Sequence, residues 1–148
     1  MSKVAIVYWS GTGNTEAMAN YVAEGVKKAG GEADLFTSAE FGADKAGEYD
    51  RIAFGCPSMG AEQIGRAEQL EESEFQPMFD EVSPVLSGKK IALFGSYGWG
   101  DGEWMRTWES DCMTLGVTMA CEPVICNATP DEAAGAECEA LGEALANA

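Results

Sequence analysis

The stretch YWSGTGNTEAM, from Tyr8 to Met18, joins two sequence patterns through a loop of small and polar residues. Before the loop, KVAIVYW is a short continuous apolar run, which is typical of a strand covered on both faces. After it, Met18, Val22 and Val26 recur at helical spacing until a Gly-Gly pair ends the pattern. The stretch therefore predicts a strand, a turn and a helix, which is the opening of an α/β fold.

The same alternation continues along the chain. Further strands are expected in EADLFT, RIAFGC, KKIALFG and VTMACEPVIC, and Pro123 makes the last of these an edge or irregular strand. Strands that alternate with helices, without a break in composition, predict a single α/β domain over residues 1–148. Its sheet should be parallel and doubly wound, with helices on both faces.

Three further helices are expected between and after these strands. Apolar stripes at helical spacing cover residues 75–86, 104–115 and 134–145. Pro84 should kink the first of these helices or end it early, because proline cannot donate the hydrogen bond that a helix interior requires. Thr129 is expected to be the N-cap of the last helix, with Pro130 at its first helical position.

The chain is strongly acidic. It has 25 Asp and Glu against 9 Lys and Arg, a formal net charge of −16, and no His. This balance argues against nucleic acid and against an anionic membrane surface, because both require basic groups. The absence of His excludes Ser-His and Cys-His hydrolases and His-ligated zinc sites. An acidic surface favours partners that present a basic patch.

The cysteines and the apolar runs indicate a cytoplasmic protein. Cys56, Cys112, Cys121, Cys126 and Cys138 form no C-x-x-C pair. We expect free, buried thiols in a reducing compartment. The N-terminus lacks the pattern of a signal peptide, and no apolar run is long enough to span a membrane.

The opening loop suits a phosphate group. Gly11 and Gly13 permit close approach of the backbone, and the helix that follows offers unpaired N–H groups and a partial positive charge. Four side chains add neutral donors: Ser10, Thr12, Asn14 and Thr15. The loop lacks the Lys of a Walker motif and the third glycine of the dinucleotide fingerprint. Taken alone, it fits a terminal monophosphate or an ordinary capped turn equally well.

Two later loops favour a ligand site. GCPSMGAE follows the third strand and GSYGWGDGEW follows the fourth, so both lie at the carboxyl end of the sheet, where α/β proteins bind ligands. Trp99 stands between Gly98 and Gly100, which favours a stacking platform over a core position. Met59 alone would be assigned to plain packing.

Three motifs in this order, VYWSGTGNTEAMA, GCPSMG and LFGSYGWGDGEWM, closely resemble the short-chain, clostridial-type flavodoxins. Flavodoxins are themselves the type example of the strand order 2-1-3-4-5 with FMN at the sheet edge, so the resemblance implies a five-stranded sheet in that order. It also implies a low-potential one-electron carrier, and not an enzyme, which passes electrons between redox proteins through FMN.

The family pattern implies a role for each loop residue. The phosphate is held by the side chains of Ser10, Thr12, Asn14 and Thr15 and by backbone N–H groups of 10–15, including Gly11 and Gly13, with Trp9 beside it. Trp99 stacks on the outer face of the flavin ring and Met59 covers the inner face. The pyrimidine side is bordered by Ser96, Tyr97, Gly98, Trp99 and Gly100. The Met59–Gly60 peptide faces flavin N5, and the Met59 carbonyl turns to accept the N5 proton of the neutral semiquinone, which Gly60 makes inexpensive.

Two departures from the family pattern concern the middle loop. Pro57 replaces a serine found in some relatives, so a hydroxyl contact there is lost or moves to Ser58. Ala-Glu-Gln at Ala61 recurs six residues later, which lengthens the loop. Either Glu62 or Glu68 could therefore bond flavin N3, and adjacency to Gly60 favours Glu62.

Two other functions share this topology. An FMN-dependent NAD(P)H:quinone oxidoreductase is the alternative function, but no basic residues are placed for a dinucleotide and the chain is short. A phosphoacceptor receiver module needs an acidic cluster that VYWSG and GCPSMG do not supply. We expect a monomer whose transient partners are reductases and acceptor enzymes with basic docking surfaces.

Overall fold

A twisted parallel sheet forms the centre of the structure. The computed structural model describes residues 3–9, 13–57, 74–97, 103–127 and 130–148. The strands are β1 (Lys3–Tyr8), β2 (Glu32–Thr37), β3 (Arg51–Gly55), β4 (Lys90–Tyr97), β5 (Thr118–Met119) and β6 (Val124–Asn127). They lie in the order β2-β1-β3-β4, followed by β5 and β6, and every pairing is parallel. The predicted order 2-1-3-4-5 is confirmed.

The fifth position of the sheet holds two short strands instead of one. Thr118 of β5 pairs with Lys90 at the start of β4, and Val124 of β6 pairs with Phe94 further along it. Pro123 lies between the two strands, where its missing N–H removes a donor from the ladder. The predicted irregular strand is thereby confirmed, and the expected five strands become six.

Helices cover both faces of the sheet. They are α1 (Asn14–Lys28), α2 (Ala43–Ala46), α3 (Phe75–Val82), α4 (Glu103–Met113) and α5 (Glu132–Asn147), with 3₁₀ turns at Ser38–Glu40 and Ser83–Val85. α1 and α5 bury one face and α3 and α4 the other, each around its own apolar cluster. A Cβ on Gly142 of α5 would lie 2.1 Å from the Val22 carbonyl oxygen of α1, so glycine is required for this close packing of helices.

The ends of the helices test the predicted signals. Gly30 has φ +87° and the N–H of Gly31 donates to the Val26 carbonyl at 2.9 Å, so the glycine pair does end α1. α3 gives way to a 3₁₀ turn that contains Pro84, as predicted. The predicted start of α5 is wrong: the helix begins at Glu132, so Pro130 does not take its first helical position. Asp131, and not Thr129, caps this helix, because its carboxylate accepts the N–H of Ala134 at 2.8 Å.

None of the five cysteines forms a disulfide, as predicted, but not all are buried. Cys56, Cys112 and Cys138 are buried, whereas Cys121 and Cys126 are half-buried. Across the described ranges, no cluster of three or more Cys, Asp or Glu side chains could hold a metal ion. The same ranges contain no helix with the length and apolar character needed to cross a membrane.

Candidate cofactor-binding site

The predicted site residues that the structure describes lie at or just beyond the carboxyl ends of β1, β3 and β4. The register pairs Tyr8 with Gly55 and Gly55 with Phe94, so these strands end side by side. The structure describes seven of the predicted residues: Trp9, Gly13, Asn14, Thr15, Pro57, Ser96 and Tyr97. The others lie outside the described residues: Ser10, Gly11, Thr12, Ser58, Met59, Gly60, Ala61, Glu62, Glu68, Gly98, Trp99 and Gly100.

Helix α1 begins at the end of β1 with an N-terminus suited to an anion. Its N-cap is Gly13, which has φ +93° and no side chain that could cap the helix. A Cβ at Gly13 would meet nothing within 4 Å, so the positive φ, and not crowding, favours glycine there. First-turn N–H groups have no partner inside a helix and carry its partial positive charge. The turn therefore fits the predicted phosphate-binding role.

A buried pair of hydroxyls joins α1 to β4. Thr15 Oγ1 lies 3.1 Å from Ser96 Oγ, and the two side chains are 1% and 5% exposed. One helical turn further on, the Cys126 thiol of β6 donates to the Met18 sulfur at 3.6 Å. The hydroxyl pair therefore joins Thr15, which is predicted to face the phosphate, to Ser96, which is predicted to border the ring.

The end of β3 is held by β4 and α4. The Cys56 N–H donates to the Phe94 carbonyl at 3.1 Å, and the Cys56 carbonyl accepts the indole N–H of Trp104 at 3.2 Å. Gly95 lies against the same carbonyl, because a Cβ there would be 2.2 Å from the Cys56 oxygen. The backbone that leads into Pro57 is therefore fixed from two sides.

The two half-buried aromatics of the site are anchored at its edges. The Trp9 N–H donates to the Gly55 carbonyl at 3.1 Å, which extends the β1–β3 pairing by one residue. The Tyr97 ring packs on the Trp104 indole, with centroids 5.6 Å apart and planes 51° from parallel. Both aromatics also pack against the core cluster that contains Trp104. Each strand end is therefore held in place by apolar contact.

An acidic cavity of about 330 Å³ opens beside Trp9. The described residues that line it are Tyr8, Trp9, Gly13, Glu16, Thr37, Ser38 and Glu74. The Tyr8 hydroxyl donates to the Glu16 carboxylate at 3.2 Å. Partial burial is the main cause that raises the pKa of Tyr8, and the hydrogen bond to Glu16 is the second. None of these lining residues is a Lys or Arg, so a negative charge bound nearby would lack a cationic partner among them.

A second cavity of about 330 Å³ lies between α3 and α4, with Phe79 and Trp108 among its lining residues. It follows the length of the two helices and not the ends of the strands. We place the candidate site at the strand ends, because α/β sheets bind ligands there and because the predicted residues meet there.

Some residues of this region were not predicted from the sequence. Thr37, the last residue of β2, and Ser38, which follows it, line the cavity, so the rule that ligands bind at carboxyl ends could have included them. No sequence pattern predicts that Glu74 lines the cavity or that Trp104 donates to the Cys56 carbonyl, because both depend on how separate segments pack.

The donor set fits a phosphate monoester such as the end of FMN. There is open space beside Gly13. The N–H groups in the first turn of α1 and the Thr15 hydroxyl are the neutral donors suited to an anion there. The comparison with known families agrees: a family model described as Flavodoxin matches residues 6–142. The chain belongs to the flavodoxin family.

Individual flavodoxins are similar over nearly the whole chain. The Megasphaera elsdenii flavodoxin is 46% identical over 145 residues, which cover 98% of this chain and 99% of the relative. The Clostridium beijerinckii flavodoxin is 44% identical over 142 residues, 96% of this chain and 98% of the relative. The solution structure of two-electron reduced Megasphaera elsdenii flavodoxin matches with a TM-score of 0.87, over 98% of this chain and 99% of that one.

Family membership fixes the broad function. Flavodoxins are small electron-transfer flavoproteins, so the chain is an electron carrier with FMN as its cofactor, and it is not an enzyme. The predicted resemblance to the clostridial type is confirmed, because a clostridial flavodoxin is among the similar relatives. The alternative of a quinone oxidoreductase is not favoured.

Proposed function

We propose that this flavodoxin is a low-potential, one-electron carrier that acts as a monomer of one domain, residues 1–148, in the cytoplasm. The observation that carries the proposal is the buried contact between Thr15, in the first turn of α1, and Ser96, near the carboxyl end of β4. FMN supplies the one-electron chemistry when bound, and the chain sets how readily it accepts each electron.

The residues proposed to hold FMN are those predicted from the family pattern. Thr15 and the first turn of α1 support the phosphate position, with Trp9 beside it. Tyr97 supports the ring position, because it ends the strand that lies next to the β3 terminus. Ser96, one residue earlier, contacts Thr15 on the side proposed for the phosphate. The roles of Met59, Gly60, Trp99 and of Glu62 or Glu68 rest on the resemblance alone.

A low potential follows from the excess of negative charge on the chain. Glu16 and Glu74 line the cavity beside Trp9, and the chain has a formal net charge of −16. A carboxylate about 10 Å from a group that gains negative charge costs ~0.4 kcal/mol in water-like surroundings and ~1.7 kcal/mol at an effective dielectric of ~20. For one electron this corresponds to roughly 18–70 mV per carboxylate, before screening by salt.

The proposed switch at the flavin is the Met59–Gly60 peptide. After the first electron, the Met59 carbonyl would accept the proton at N5, and Gly60 would permit the turned peptide because it has no Cβ. We expect Gly60→Ala to lower the yield of neutral semiquinone in a reductive titration while oxidised FMN still binds. An unchanged yield would rule out this role for Gly60.

Visible absorption of the purified protein, followed by reductive titration, tests the function. A yellow protein that passes through a blue one-electron form supports the proposal. A colourless protein that does not take up FMN would overturn it. Steady-state oxidation of NAD(P)H by the protein alone would instead support the quinone-oxidoreductase alternative.

The proposed partners are reductases and acceptor enzymes with basic docking surfaces. Charge attraction raises association rates at low salt and is screened as the ionic strength rises. We therefore expect electron transfer to a basic redox protein to slow between about 50 mM and 500 mM salt. A rate that does not depend on salt would contradict docking by charge.

A further inference from the structure

The Thr15–Ser96 pair has one more proton than its own bond uses. Each hydroxyl carries one O–H, and the single bond between them at 3.1 Å consumes one of the two protons. Within the described residues, neither side chain makes a second hydrogen bond. Because both side chains are almost fully buried, one donor of the pair is left to serve an acceptor at the site.

The position of Thr15 decides which proton that is. Thr15 is the second residue of α1, where the first-turn N–H groups and the helix dipole favour an anion. Ser96 lies in the interior of the sheet, on β4, one residue before its end. An anion in front of the helix would be the strongest acceptor within reach. It would take the Thr15 proton, and Thr15 would then accept the proton of Ser96.

We propose that Ser96 is a positioning residue for the cofactor phosphate, acting through Thr15 and not by contact with the flavin ring. Its O–H fixes the direction in which Thr15 donates and polarises that donor, because hydrogen bonds in a chain strengthen one another. The contact then helps this chain to prefer FMN to riboflavin, which carries the same ring without a phosphate. The inference rests on the proposed FMN site.

The test compares the affinity of the apoprotein for FMN and for riboflavin by titration calorimetry. For Ser96→Ala we expect FMN affinity to fall about three- to tenfold, as for the loss of one neutral hydrogen bond, while riboflavin affinity stays unchanged. For Thr15→Val, FMN affinity should fall about ten- to a hundredfold, because a donor to a charged group is lost. Thr15→Ser keeps the hydroxyl and should keep the preference for FMN.

A matched control separates positioning from stability. Ser83→Ala removes a serine hydroxyl that donates to the Phe79 carbonyl at 2.7 Å, at the far end of α3. This variant should lose stability without a change in the ratio of the two affinities. The double variant Ser96→Ala with Thr15→Val should lose no more FMN affinity than Thr15→Val alone, since Ser96 acts through Thr15.

The outcomes distinguish the inference from the proposed function. If wild-type apoprotein fails to bind FMN, the proposed function fails. If it binds FMN but Ser96→Ala lowers the affinities for FMN and riboflavin equally, Ser96 acts on the ring or on folding, and the proposed action through Thr15 is wrong. If Ser96→Ala changes neither affinity, or if the losses of the two single variants add in the double variant, the proposed action through Thr15 is also wrong.

Discussion

Gly95→Ala should disturb both the fold and the cofactor site, because Gly95 lies against the carbonyl of Cys56, the residue that follows β3. A Cβ at this position would be 2.2 Å from the Cys56 oxygen and 3.2 Å from the Trp104 indole. An ordinary contact of this kind needs about 1 Å more. The obstacle on the nearest side is backbone, so a rotamer change cannot relieve it.

The cost can be worked from the contacts that must move. Overpacking in a well-packed core costs about 1–3 kcal/mol. If the Cys56 carbonyl shifts away, its bond from Trp104 at 3.2 Å is weakened, which adds about 1 kcal/mol. We therefore expect a loss of about 2–4 kcal/mol in the free energy of unfolding, or roughly 4–16 °C in Tm for a chain of this size. Any gain from a stiffer unfolded chain is smaller, about 0.4–1 kcal/mol.

Gly142→Ala is the matched control. Its Cβ would lie 2.1 Å from the Val22 carbonyl oxygen, so the clash is of the same kind, but it falls between α1 and α5. Both variants should be destabilised in urea titrations of the apoprotein. FMN affinity, measured by calorimetry below the melting range, should fall about tenfold or more in Gly95→Ala alone, because a small displacement beside a binding loop is costly. Equal affinity loss in both variants, or no loss of stability in Gly95→Ala, would refute the reasoning.

Stability should fall above pH 9, because burial raises the pKa of the Cys112 and Cys138 thiols from 9.0 to about 12. Between these pH values the unfolded chain releases protons that the folded chain retains, so the urea midpoint of unfolding should decrease from pH 8 to pH 10.5. In the double variant Cys112→Ala with Cys138→Ala, the urea midpoint should depend less on pH. Asp131→Ala should cost about 1 kcal/mol in urea unfolding through loss of the α5 N-cap, whereas Thr129→Ala should cost less; the reverse ranking would restore Thr129 as the cap. Glu74→Gln should raise the potential of the second electron by roughly 18–70 mV in a spectroelectrochemical titration. Glu48→Gln, which removes an exposed carboxylate ahead of β3, should have little effect, and equal shifts in the two variants would argue against a local role for Glu74.

Patterns in the sequence predicted most of the fold. Continuous apolar runs indicate strands that are buried on both faces, and apolar stripes at helical spacing indicate helices that are buried on one face. The strands and long helices can therefore be predicted from local patterns. The glycine pair after α1 and Pro84 in the α3 region gave correct ends, because these residues restrict the backbone directly. The N-cap of α5 was missed because TPDE offers two capping side chains within three residues, and the helix begins after the second of them.

By itself, the sequence determined the long helices, the first four strands, the α/β alternation and the family, together with a loop of neutral donors between β1 and α1. Tertiary structure alone decided that Thr15 meets Ser96 across 81 positions of the chain, and that the Cys56 carbonyl lies between Gly95 and Trp104. It also decided that the fifth strand divides at Pro123. The physical reason is that burial and backbone preference are local properties, whereas a contact between distant residues depends on sheet register and helix packing.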